Sequence, residues 1–273
     1  MFLFIYSTLF GAIREKSAML YYGNDISYSM LGMHNYIIVQ PESINTYSHS
    51  FYVYKNKMYA YVSIGEINTN IKEYKKVQKS WILGENGAWE SKILDLTNPE
   101  YQEFFFKEQI EPQMKRGFKN FFFDTLDTYH IVKKTTKEKE ESEEALASII
   151  NNFHKRYPDS KLVINRGFEI IDKVYDSINA VLFESYYSGI GGENFGYKKV
   201  SDSDREWLDI KISKIKSYNL DVIAVDYLPY KRMNEADEII KKIKKKGMIP
   251  YISNRNLNIY GKSSKKNLIK RWK

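Results

Sequence analysis

Eight short apolar runs punctuate the chain, and most of them stop at a polar residue. They are Ala18–Tyr22 (AMLYY), Tyr36–Val39 (YIIV), Met58–Ile64 (MYAYVSI), Phe121–Phe123, Leu162–Ile164 (LVI), Ala180–Phe183 (AVLF), Val222–Val225 (VIAV) and Met248–Ile252 (MIPYI). Short continuous runs rich in β-branched and aromatic residues predict strands buried on both faces, as in a parallel sheet. Between them lie stripes at helical spacing. Asn98-Pro99 opens one helix, with Asn as N-cap and Pro at the first helical position, and Pro112 is expected to end or kink it. Leu146, Ile149, Ile150 and Phe153 mark a second helix after an acid-rich first turn, closed before Pro158. Leu208, Ile212 and Ile215 mark a third. Ala236, Ile239, Ile240 and Ile243 mark a fourth, with Gly247 at its C-cap.

Strands alternating with helices over a span of about 250 residues predict a single (β/α)8 TIM barrel. An open doubly wound sheet is the competing architecture. It would carry a Gly-rich phosphate loop after its first strand, and none is present. Without an internal repeat or a Pro/Ser-rich linker, one domain is expected over 18–261. Residues 1–17 precede it and a basic tail, 262–273, follows. Met1–Ala12 (MFLFIYSTLFGA) has the apolar stretch and small-residue end of a signal peptide without the positive start; the other reading is a buried N-terminal segment. The first reading places the protein in the secreted or cell-envelope fraction, the second in the cytoplasm. No later run of about eighteen apolar residues exists, so no integral membrane span is expected beyond that signal.

Charge and composition narrow the chemistry. The net charge of +8 suggests nucleic acid until it is located: six of the basic residues fall between Lys262 and Lys273 with no acid among them, which leaves +2 for the rest. No nucleic-acid partner is therefore expected. The chain has no Cys, and its four His (His34, His49, His130, His154) stand at no metal-binding spacing, so neither a zinc site nor another cofactor is expected. A GxSxG elbow is also missing.

What remains is a rim of acids, amides and tyrosines at strand ends: Glu66, Asp124, Asn165, Glu184 and Asp226. The carboxyl ends of barrel strands converge on one face. Two carboxyls flanking a scissile bond are what glycoside hydrolysis needs. Asp124 and Glu184 form the natural pair, because the fourth and sixth strands of a barrel are two apart. Their separation, roughly 5–5.5 Å for retention or 6.5–9.5 Å for inversion, is not fixed by the sequence. The apolar run before Glu184 suits a general acid with a raised pKa, which leaves Asp124 as the ionised nucleophile. Substrate contacts are expected from Glu66, Asp127, Asn165 and Asp226, and from Tyr22, Tyr129, Tyr186 and Tyr227, whose rings suit sugar faces. Two other readings stay open: a metal-dependent phosphodiesterase with a cation on Glu66, Asp124 and Asp127, and a saccharide-binding barrel without turnover.

At these residues the sequence resembles a known family. The elements are Tyr21-Tyr22-Gly23-Asn24-Asp25, Ala60 through Glu66 (AYVSIGE), Leu94-Asp95 with Asn98-Pro99, Gly117 through Tyr129 (GFKNFFFDTLDTY) and Phe183-Glu184. Together they are similar to the endo-α-1,4-polygalactosaminidase family, glycoside hydrolase family 114, and to related Pel-hydrolase-like barrels, from about Tyr21 to Asn254. The resemblance implies a cofactor-free TIM barrel that cleaves α-1,4-linked galactosaminyl polysaccharide. By analogy with retaining α-galactoside-cleaving barrels, it puts the nucleophile on strand four, Asp124, and the acid/base on strand six, Glu184. Arg166 departs from the family pattern, which has a small residue or Pro before Gly167; it brings a positive charge to the cleft.

Overall fold

The computed structural model describes residues 15–191 and 196–264. Eight parallel strands follow one another round a ring in chain order: Ala18–Tyr21, Tyr36–Val39, Met58–Ser63, Asn120–Asp124, Leu162–Asn165, Ala180–Glu184, Asp221–Tyr227 and Ile249–Ser253. Each apolar run of the sequence is one of these strands. The result is a nearly closed (β/α)8 barrel.

The ring meets itself without a ladder. Along the free edge of the first strand, the Ala18 N–H donates to Ser263 Oγ at 3.3 Å. The Leu20 carbonyl accepts from the Tyr251 hydroxyl at 2.7 Å, and the Tyr22 N–H donates to the Leu257 carbonyl at 2.8 Å. Three groups that an open edge would leave unpaired thus find partners of other kinds. Ser263 belongs to a short strand, Lys262–Ser263, antiparallel to strand eight. The barrel therefore runs past the expected boundary at 261, because Ser263 is buried and needed at the seam. At the other end it starts before Ala18: Glu15 pairs with Lys244 and Lys16 with Asp221, each at 2.6 Å. The apolar segment Met1–Ala12 and the tail from Lys265 onward lie outside the described residues.

Strand register decides which side chains reach the barrel axis. Phe121 and Phe123 point outward, onto Phe153 at ring distances of 5.4 and 5.1 Å, and Phe123 also meets Phe105 at 5.3 Å. Their neighbours Phe122 and Asp124 therefore point inward. Parallel pairing carries that parity round the ring to Tyr61 and Ser63, Asn165, Glu184, Val225 and Tyr227, and Tyr251 and Ser253.

The outer layer follows the helical stripes. Thr136–Arg156 starts with a reciprocal capping box between Thr135 and Glu138 and buries Leu146, Ile149, Ile150 and Phe153. Asp202–Ser217 buries Leu208, Ile212 and Ile215, and Ala236–Lys245 ends before Gly247 at φ +69°. Asn98 caps Pro99–Phe104, accepting from the Glu100 and Tyr101 N–H groups at 2.9 and 3.2 Å. Pro112 does not end this helix. The chain widens into a π-turn at Phe105–Ile110 and continues helical to Lys115, so the missing proline N–H falls where the ladder has already shifted. Two excursions were not read from the sequence: an antiparallel sheet of Glu66–Asn68, Ile82–Asn86 and Ser91–Leu94, and the strand pair Ser188–Gly191 with Gly196–Lys199. No helix among the described residues is long and apolar enough to cross a membrane.

Candidate active site

Asp124 ends strand four and faces the axis. Its Oδ1 accepts from Asn165 Nδ2 at 2.7 Å and from the Thr125 N–H at 2.8 Å, and the Tyr61 hydroxyl donates to the same carboxyl. Burial lifts its pKa above the usual carboxylate range, while these three donors pull the other way. The turn that supplies the Thr125 N–H is strained: Thr125 holds φ +63°, uncommon for a β-branched residue. Its hydroxyl shares a 2.8 Å hydrogen bond with Ser63 and accepts the Gly65 N–H at 2.9 Å. A side chain at 65 would stand 2.3 Å from the Thr125 carbonyl oxygen, so glycine is required there.

Glu184 ends strand six and faces the same axis. One oxygen, Oε2, accepts from the Tyr227 hydroxyl, and its backbone carbonyl accepts from Arg166 Nη2 at 3.0 Å. Burial pushes its pKa up to about 7; nearby Asp124 adds to this, while Tyr227 and Arg166 oppose it. Tyr22 packs edge-on against Tyr61 at 5.4 Å, and burial beside both acids raises its pKa, so it stays a neutral phenol. Asp124, Glu184, Asn165, Tyr22 and Tyr227 thus come together. Asp127 stands at the rim, 3.7 Å from Arg166 Nη1.

The other expected contacts lie elsewhere. Asp226 is fully buried on the outward face of strand seven and accepts the backbone N–H groups of Tyr186, Tyr187 and Ser188 at 2.5, 2.8 and 3.2 Å. The strand runs one residue past it, and Tyr227 takes the inward position. Glu66, only 4% exposed, sits in the small antiparallel sheet and accepts from Asn86 Nδ2 at 2.9 Å and from the Ser91 hydroxyl. The buried hydroxyls of Tyr129 and Tyr186 bind outer-layer acids, Glu143 at 3.2 Å and Asp209 at 2.6 Å. These four fasten the scaffold instead of lining the mouth. With Glu66 committed to Asn86 and Ser91, the cation of the alternative phosphodiesterase reading, on Glu66, Asp124 and Asp127, has no common site; no acid or His cluster among the described residues fits a metal ion.

Two contributors were missed. Tyr61 was visible as the residue two before Ser63 on strand three. Arg166, noted as a departure from the family pattern, was not counted with the site. It holds φ +58° immediately after Asn165, which turns its guanidinium back to the Glu184 carbonyl. Glu184, Arg166 and Tyr227 open into a cleft of about 520 Å³. A broader recess of about 800 Å³ lies on the outer surface beside Glu140 and Glu144, away from both inward acids.

Comparison with known proteins places the fold in a family. The profile of glycoside-hydrolase family GH114 matches residues 54–268. The glycoside hydrolase domain of PelA from Pseudomonas aeruginosa superposes with a TM-score of 0.82 at 25% identity, over 90% of this chain and 98% of that one. Ega3 of Aspergillus fumigatus, solved with galactosamine, superposes with a TM-score of 0.67 at 12% identity, over 91% and 94% of the two chains. No curated protein sequence matches the chain.

Proposed function

The chain belongs to glycoside hydrolase family 114 and is a glycosidase, and on that premise we propose that it cleaves α-1,4-linked galactosamine or N-acetylgalactosamine polysaccharide internally, with Asp124 as nucleophile and Glu184 as general acid/base. One observation carries the role order: burial raises both inward acids, but they differ in the donors that oppose it. Asp124 faces three donors, which favour the carboxylate. Glu184 has one donor on Oε2 and a pKa near 7, which suits a group that must give up a proton and take one back near neutral pH.

In the first step the Asp124 carboxylate attacks the anomeric carbon while Glu184 protonates the departing glycosidic oxygen. In the second, Glu184, now a carboxylate, takes a proton from water, which attacks the same carbon and releases Asp124. Asn165 and Tyr61 hold the nucleophile, and Tyr227 holds the acid/base. The galactosamine class follows from the family resemblance and agrees with the sugar in the fungal structure. A polymer of this kind is met outside the cytoplasm, in keeping with Met1–Ala12 as an export signal.

The test is digestion of partially deacetylated α-1,4-galactosaminan by wild type and Glu184→Gln, with masses read by spectrometry and the first product anomer by NMR. Oligomers from wild type alone, α-anomers first, are expected. β-Anomers first would replace the nucleophile with a general base. Equal cleavage by both proteins would remove Glu184 from the mechanism.

A further inference from the structure

The turn that joins Ile82–Asn86 to Ser91–Leu94 carries Trp89, and its main chain is held by several bonds. The Trp89 N–H donates to the Asn86 carbonyl at 3.2 Å, and the Trp89 carbonyl accepts from Asn68 Nδ2 at 3.1 Å. The next carbonyl, that of Glu90, accepts the Thr69 N–H at 3.1 Å and the Thr69 hydroxyl at 3.2 Å. The buried Glu66 side chain binds the residues at both feet of the turn, Asn86 and Ser91. The indole is treated differently. It is 63% exposed and carries no ring or cation partner among the described residues. Packing does not explain a turn whose main chain is fixed while its largest side chain stays bare.

Trp89 lines the same cleft as Glu184, and so does a second exposed indole, Trp207. Trp207 lies on the helix Asp202–Ser217, braced edge-on by Phe168 at 5.5 Å, with Lys211 Nζ 5.3 Å over its ring. One exposed aromatic is ordinary surface. Two on the walls of one cleft beside Glu184 suit the flat apolar faces of pyranose rings. Glu184 lines this cleft and Asp124 does not. A general acid protonates the departing oxygen, so the cleft on its side receives the sugars that depart. Resting on the hydrolase reading above, we infer that Trp89 and Trp207 form a stacking subsite for the leaving-group side of the polysaccharide, and that Glu66, through Asn86 and Ser91, is a positioning residue for Trp89. The acid that closes the third apolar run thus serves the substrate from a distance, by holding the turn that meets it.

The test uses the full chain and partially N-acetylated α-1,4-galactosamine oligomers tagged at the reducing end. Trp89→Ala should raise KM about two- to tenfold, the worth of one aromatic contact, with a much smaller change in kcat. Trp89→Tyr should restore most of the loss. Tagged products of Trp89→Ala should be shorter than those of wild type, because cleavage frames that place several sugars on the leaving-group side lose their anchor. Glu66→Ala, or the milder Asn86→Ala that cuts one of its two bonds, should also raise KM and should add little in the Trp89→Ala background. A purely structural Glu66 would lower the melting temperature without that coupling, and fully additive effects would overturn its positioning role. Calorimetric binding to Glu184→Gln, with and without Trp89→Ala, reads the subsite apart from turnover. An unchanged KM in Trp89→Ala, or tagged products that become longer, would overturn the subsite and leave the hydrolase standing. Oligomers that bind through Trp89 yet are never cut by wild type would overturn the hydrolase reading, and the leaving-group assignment with it.

Discussion

Glu184 and Asp226 lie at the carboxyl ends of neighbouring strands, the second one residue short of its end, and burial raises both carboxyls, to about 7 and about 6. The resemblance stops at their lone pairs. Asp226 faces outward with both oxygens occupied by three backbone N–H groups, which fix the loop Tyr186–Ser188 that follows Glu184. Glu184 faces inward, with the Tyr227 hydroxyl on one oxygen and the cleft in front of it. A raised pKa alone therefore does not mark a catalytic group. Unspent hydrogen-bonding capacity facing a cleft does.

The comparison breaks most sharply under substitution. Glu184→Gln should lower kcat by about 10³-fold or more, as loss of a general acid/base does, with the fold intact by circular dichroism. Asp226→Ala should do the reverse: it strands three buried donors and costs about 3–5 kcal/mol in denaturant melts, while the folded fraction keeps kcat within about tenfold.

Smaller effects separate the two inward acids from each other. Asn165→Ala removes a donor that favours ionised Asp124, so the acid limb of the pH–rate profile should move to higher pH and kcat should fall about 10- to 100-fold. Tyr227→Phe removes a donor that holds the Glu184 pKa down. The alkaline limb, near pH 7 in wild type, should move up with a loss of a few-fold in rate.

Stability against pH gives the finest distinction. A carboxyl whose pKa is raised on folding favours the fold while protonated, and that contribution is lost as pH rises through the folded value. The loss should run from the ordinary carboxylate range up to about pH 6 for Asp226 and up to about pH 7 for Glu184. Glu184→Gln should therefore melt higher than wild type at pH 8, by roughly 1–3 kcal/mol, and close to it at pH 5. Equal melting at both pH values would refute the buried-acid account of Glu184.

Much of this was legible in the sequence. Continuous apolar runs name buried strands whatever their neighbours, so all eight barrel strands could be read. The strand-end places of Asp124 and Glu184 could be read because each closes a run. The same rule misplaced Asp226, since a strand's end does not tell which face its last residue takes; the pairing of Val225 with Glu184 does, and it gives the inward place to Tyr227. Glu66 was misplaced for a related reason. It closes the third run but also opens a second sheet, built from a mixed polar stretch broken by Gly84 and Gly87 that carries no strong period. Tyr129 and Tyr186 looked like sugar platforms because a tyrosine near an acid reads alike whether it faces the mouth or the outer helices. The register of distant strands, which the local pattern does not encode, separates the two cases.

The seam between the first and eighth strands is the one junction of the described ring without a backbone ladder. Everywhere else in the ring, opening must break a run of cooperative backbone bonds; here it breaks two hydroxyl contacts, at Ala18 and Leu20, and one loop contact, at Tyr22. Tyr22 lies beside both inward acids. The line along which the ring holds fewest backbone bonds thus borders the two inward acids, and hydrogen exchange at the Tyr22 amide would report how readily that line opens.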